Sequence, residues 1–162
     1  MSEAEHALGA GDPAPDFSLE SDDGKLVHLS DYIGKTIVLY FYPKANTPGC
    51  TRQACAIRDI HPDIQGAGIV VLAVSPDPPE RLRAFREKYD LPFVLLSDPD
   101  HRVAEQYGAW GEKKLYGRSF TGILRSHVAV DPAGKIIEHK LKVRPATTAE
   151  MAMRLKLAKP NT

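Results

Sequence analysis

Only two cysteines and one tryptophan occur among the 162 residues. Two thiols cannot form a disulfide framework. A chain this long needs none, because folding can bury roughly two-thirds of its unfolded surface. An excess of charge of either sign is also missing, since Lys+Arg and Asp+Glu both number 21. That argues against nucleic acid or an anionic membrane as the main partner, since both usually demand a basic patch. No apolar run approaches the ~20 residues that cross a bilayer. The first seventeen residues, MSEAEHALGAGDPAPDF, have neither the basic start nor the apolar core of a signal peptide. The expected location is therefore the reducing cytoplasm, where a permanent bridge between the two cysteines is not expected. The six histidines are scattered, and neither H-x-x-x-H nor C-x-x-C occurs. Rossmann and P-loop glycine patterns are missing too. No metal and no cofactor are expected.

What is present is typical of a globular protein, with 43% hydrophobic and 26% charged residues. The length suits a single domain over residues 1–162. SDDGK (21–25) between FSLE and LVHL predicts an N-terminal hairpin. IVLYFY (37–42), IVVLAV (69–74) and FVLLSD (93–98) read as buried strands. A helix is predicted from Pro48 to about Asp59, with Pro62 ending or kinking it. A second covers PPERLRAFREKYD, with Leu82, Phe85 and Tyr89 on one side. DHRVAEQYG suggests a short third helix. Residues 109–121 show no period and read as loop. HVAVDPAGKIIEHKLKV predicts two strands around a turn at 131–134. The last helix begins at Thr147, with Thr147 and Glu150 at capping-box spacing. The order implies an α/β fold with a mixed central sheet and helices on both faces, which the thioredoxin-like fold satisfies.

Cys50 stands at a particular place in this order. Thr47 reads as an N-cap and Pro48 as the first helical residue, so Cys50 falls in the first turn. Free N–H groups and the positive end of the helix dipole favour a thiolate there, and Gly49 leaves the backbone before the sulfur unobstructed. Strand, sharp loop and helix-start cysteine together suit the presentation of a nucleophile. The plainer alternative is a small buried apolar residue at an ordinary helix start.

PKANTPGCT (43–51) resembles the signature P-x-x-x-T-x-x-C of the peroxiredoxins. With TRQAC, LPFVLLSDPDHRVAEQYGAWGEKKLYGR (91–118) and GILRS (122–126), the resemblance extends from about Gly11 to the final helix. It is to the bacterioferritin comigratory protein, or peroxiredoxin Q, branch. It implies a thiol-dependent peroxidase in which the Cys50 thiolate attacks a hydroperoxide and becomes a sulfenic acid. Thr47 would bind the peroxide through its hydroxyl, and Pro43 would shield the site. Backbone N–H groups of Gly49 and Cys50 would face the peroxide oxygens, and Arg125 would hold substrate and thiolate. Cys55 would be the resolving cysteine of an intramolecular disulfide. The implied partners are a hydroperoxide, hydrogen peroxide or organic, and thioredoxin or a similar thiol reductant. The implied assembly is a monomer or weak dimer.

Geometry constrains the bridge. Five residues of α-helix separate Cα atoms by roughly 8–9 Å, beyond the ~7 Å limit for a disulfide, so the helix must unwind between about Thr47 and Arg58. The chain departs from the family at Gln53, often glutamate, at Ile57, often phenylalanine, and at His127-Val128, often Thr-Phe. His127 lies two residues from Arg125, so in a strand both face the same way. Two other functions compete: a thiol–disulfide oxidoreductase, which normally uses C-x-x-C, and a non-enzymatic holdase or binding module.

Overall fold

A computed structural model of the chain describes residues 8–158. The first seven residues of the polar N-terminal segment, and Lys159 of the expected last helix, lie outside the described residues. A hairpin of β1 (Ser18–Ser21) and β2 (Leu26–His28) opens the chain, with a 3-10 turn at Leu29–Tyr32. Then come β3 (Thr36–Phe41), α1 (Pro48–Gly66), β4 (Ile69–Ser75), α2 (Pro79–Tyr89), β5 (Val94–Ser97) and α3 (Arg102–Gln106). A second hairpin, β6 (Trp110–Leu115) and β7 (Arg118–Ile123), precedes β8 (Ser126–Val130), β9 (Ile136–Lys140) and α4 (Thr147–Ala158).

Seven strands form one mixed sheet in the order β2-β1-β5-β4-β3-β8-β9. β3 is parallel to β4 and antiparallel to β8, and β4 is parallel to β5. All six residues of β3 are buried, as its continuous run of apolar β-formers predicts. Alternate residues feed two cores. Val38, Tyr40, Val71, Ala73 and Ala129 pack with α1, α2 and α4. Ile37, Leu39, Phe41, Leu72 and Val128 pack with Phe17, Val103, Tyr107 and Ile123 on the other face. The N-terminal hairpin, the mixed sheet and the two-sided cover agree with the sequence reading.

Three expectations need correction. Pro62 does not end α1, which continues to Gly66. The lost N–H costs less than exposing the turn beyond it, where Ile64 is fully buried. Residues 109–121 are not a loop but most of the β6–β7 hairpin, closed by Tyr116 and Gly117, both at positive φ. Most of its residues are exposed on both faces, so hydrophobic alternation never develops. Finally, Thr147 is the first helical residue rather than the cap, and the Ala146 carbonyl accepts the Glu150 N–H. That register turns Thr148 inward, where it is fully buried.

Candidate active site

The site lies where β3 delivers the chain to α1. The connecting loop, residues 43–47, is anchored from beneath. Buried Asp77 accepts the Ala45 N–H at 2.7 Å and the Ser75 hydroxyl at 2.8 Å. Asn46, at φ 63°, accepts the Tyr89 hydroxyl at 3.0 Å and so fastens the loop to α2. Neither Asp77 nor Asn46 stood out in the sequence, because the bond by which each anchors the loop joins residues more than thirty positions apart.

Thr47 is the N-cap of α1 and Pro48 its first residue. The Thr47 carbonyl accepts the Thr51 N–H at 2.8 Å. Its hydroxyl, however, makes no capping bond and donates to the Lys44 carbonyl at 2.7 Å. The proton is thereby committed, and the hydroxyl oxygen can accept a further hydrogen bond. The first turn of α1 holds no acidic residue, so no carboxylate opposes a thiolate there.

Cys50 is buried, with 2% exposure, and half-buried Arg125 reaches it from the junction of β7 and β8. Arg125 Nη2 stands 3.4 Å from Cys50 Sγ, and Nη1 donates to Gln53 Oε1 at 2.6 Å. The Arg125 carbonyl accepts the Val143 N–H at 2.8 Å, fixing the backbone of that junction. The need for glycine at position 49 is explicit, since a Cβ there would sit 3.0 Å from Arg125 Nη2. Pro43 and Arg125 also line a cavity of about 710 Å³, with Leu124, Val143, Lys113 and Lys142 among its other walls. Burial and the neighbouring guanidinium hold the Lys113 pKa below the ordinary lysine value.

Cys55 is half-buried on the same unbroken helix, and both cysteines are free thiols. The structure thus brings Cys50, Gly49, Gln53 and Arg125 together, puts Pro43 in the cavity wall with Arg125, keeps Thr47 at the N-cap with its hydroxyl on Lys44, and carries Cys55 further along α1. His127 is fully buried and shares the sheet face of its cross-strand neighbour Tyr40, towards α1 and α4. Among the described residues no cluster of three or more His, Cys, Asp and Glu could hold a metal ion. No helix there is long and apolar enough to cross a membrane.

The AhpC/TSA family profile matches residues 10–139. The chain belongs to the AhpC/TSA family. Within it, this AhpC/TSA protein is similar to the peroxiredoxin Bcp of Escherichia coli (strain K12), 52% identical over 132 residues that make up 82% of this chain and 84% of that one. Peroxiredoxin Q of Xanthomonas campestris superposes on it with a TM-score of 0.84 at 31% identity, covering 92% of this chain and 97% of that one. A second Xanthomonas campestris structure, of the bacterioferritin comigratory protein and described for its alkyl peroxide reduction activity, gives 0.84 at 30% identity over 92% and 98%. The fold is therefore the thioredoxin-like fold of peroxiredoxins, in the branch that the motifs indicated. The AhpC/TSA protein is accordingly a peroxidase, an oxidoreductase acting through a thiol.

Proposed function

We propose that Cys50 is the peroxidatic thiol, that it reduces hydrogen peroxide and organic hydroperoxides, and that Cys55 resolves it within one chain. The observation that carries this reading is the Arg125 guanidinium, 3.4 Å from a buried helix-start sulfur. A cation at that distance stabilises a thiolate and leaves donors for the substrate oxygens.

The thiolate attacks the near peroxide oxygen. The O–O bond breaks, its electron pair goes to the far oxygen, and that oxygen takes a proton and leaves as water or alcohol. Cys50 is left as a sulfenic acid. The Gly49 and Cys50 N–H groups belong to the first turn, where no preceding helical carbonyl exists to accept them, so they are available to the charge developing on oxygen. Thr47 accepts the peroxide O–H, because its own proton is held by the Lys44 carbonyl. Pro43 covers the site beside the cavity. The alkyl peroxide reduction described for the Xanthomonas campestris protein suits this cavity, whose Leu124 and Val143 offer apolar contact to an organic substituent.

Cys55 then attacks the sulfenic sulfur, displacing water and forming the disulfide, and a dithiol such as thioredoxin reduces it. Because both cysteines lie on α1, the bridge requires the first turns of that helix to unwind. A monomer can complete this cycle, with no partner chain required. The test is a peroxidase assay of wild type, Cys50→Ser and Cys55→Ser with thioredoxin and with a small dithiol. Cys50→Ser should abolish peroxide consumption. Cys55→Ser should lose thioredoxin-dependent turnover while still forming the Cys50 sulfenic acid. Full turnover by Cys55→Ser would remove Cys55 from the cycle, and activity of Cys50→Ser would refute the reading altogether.

A further inference from the structure

Behind Arg125 runs a buried polar chain in which the donors and acceptors alternate in one sense. Arg125 can only donate, so Gln53 must present Oε1 to it, at 2.6 Å. The Gln53 amide nitrogen then needs an acceptor, and finds the Thr148 hydroxyl oxygen of α4 at 2.9 Å. The Thr148 oxygen in turn lies 3.1 Å from His127 Nδ1 on β8. Gln53, Thr148 and His127 are each fully buried, so bulk water does not reach their polar atoms, which pair with one another.

The far end fixes the histidine. His127 Nε2 lies 3.4 Å from Glu138 Oε2, a close contact without hydrogen-bond geometry. Glu138 is itself held by Arg154 at 3.2 and 3.3 Å. A carboxylate facing Nε2 favours the tautomer with its proton on Nε2, leaving Nδ1 to accept the Thr148 proton. Burial keeps the His127 pKa below the ordinary imidazole value, although Glu138 works the other way. The neutral ring that the alternation requires is therefore the form present near pH 7.

We propose that His127 is a positioning residue of the peroxidase site, which through Thr148 and Gln53 holds the Arg125 guanidinium against Cys50. The inference rests on the role given to Arg125 above. It assigns work to a residue that touches neither sulfur nor peroxide. It also explains why a histidine on β8 and a threonine on α4 are buried together behind a site built on α1.

The test is the single-turnover rate of Cys50 oxidation by hydrogen peroxide, measured with the thermal midpoint of each variant. His127→Val and Thr148→Val each remove one link and should lower the rate roughly fivefold. His127→Asn, whose side-chain oxygen can accept at the Nδ1 position, and Thr148→Ser should restore most of it, a rescue that packing alone would not give. The double His127→Val/Thr148→Val variant should be no slower than the worse single one, because both cut the same chain. Unchanged rates in both valine variants, or fully additive losses, would overturn the inference. Should His127→Val fail to fold, the Thr148→Val and Thr148→Ser pair decides alone. Arg125→Gln separates the two layers. If it slows oxidation while the valine variants do not, only this inference falls. If it has no effect, the role of Arg125 falls with it.

Discussion

Replacing Gly49 by alanine should make the protein slower without making it weaker. The added Cβ would lie 3.0 Å from Arg125 Nη2 and 3.8 Å from Pro145 Cγ. The first distance is too short by a few tenths of an ångström, and the movable partner is the end of an arginine side chain. The guanidinium therefore withdraws. The bond at risk is its 3.4 Å contact with Cys50 Sγ, since the 2.6 Å bond to Gln53 is the stronger tether. A hydrogen bond to a charged group contributes about 1.5–3 kcal/mol. Losing the lower part of that range in the transition state corresponds to roughly tenfold in rate. The helix itself gains, because alanine is favoured over glycine by up to ~1 kcal/mol in a helix. Stopped-flow oxidation by hydrogen peroxide and thermal melting of the same sample read the two effects together. A rate within twofold of wild type would refute the claim that the guanidinium must approach this backbone. A slow variant that also melted several degrees lower would point to misfolding of the first turn instead.

Other predictions follow from the supports around the site. Asp77→Ala strips the Ala45 N–H and the Ser75 hydroxyl of their acceptor, so stability should fall by about 2–3 kcal/mol in urea unfolding, with Asp77→Asn recovering part. Arg86 grips buried Asp22 through two bonds of 2.6 and 2.8 Å and also bonds the Leu91 carbonyl. Arg86→Ala should therefore destabilise by roughly 2–3 kcal/mol and free the N-terminal hairpin, read as faster amide exchange in β1 and β2. Acidification should weaken the fold through His61 and His127, whose pKa values burial holds below the ordinary imidazole value. The unfolded chain then binds the proton first, so stability is full above pH ~6.5 and is lost as the pH falls below it. Thermal midpoints between pH 7 and 5 should drop more steeply for wild type than for His127→Val, and equal slopes would show that His127 does not contribute.

The sequence made the strands and the thiol legible because both are written locally. An unbroken apolar run announces β3, and T-P-G-C announces a capped helix with a cysteine in its first turn. The parts it hid depend on distance or on compensation. The β6–β7 hairpin lacks alternation because most of it faces solvent on both sides. Pro62 reads as a stop because nothing local shows that Ile64 will be buried beyond it. Gln53 and His127 were visible as departures from the family pattern, but their connection through Thr148, 95 residues from Gln53, exists only once α4 has packed against α1.

Pro62 has a consequence for how α1 comes apart. Having no N–H, it cannot bond the Arg58 carbonyl, so the ladder of hydrogen bonds has one missing rung just beyond the segment that the proposed Cys50–Cys55 bridge would unravel. Arg58 is meanwhile moored by its side chain, which donates to the Tyr89 carbonyl at 2.8 Å. Unzipping that starts at Pro48 would therefore reach a seam one hydrogen bond short of a full turn, while buried Ile64 keeps the following turn seated. Under the proposed resolution by Cys55, the helix would act as two lengths spliced end to end: a leading one that opens in each cycle and a trailing one that keeps the place where it reforms.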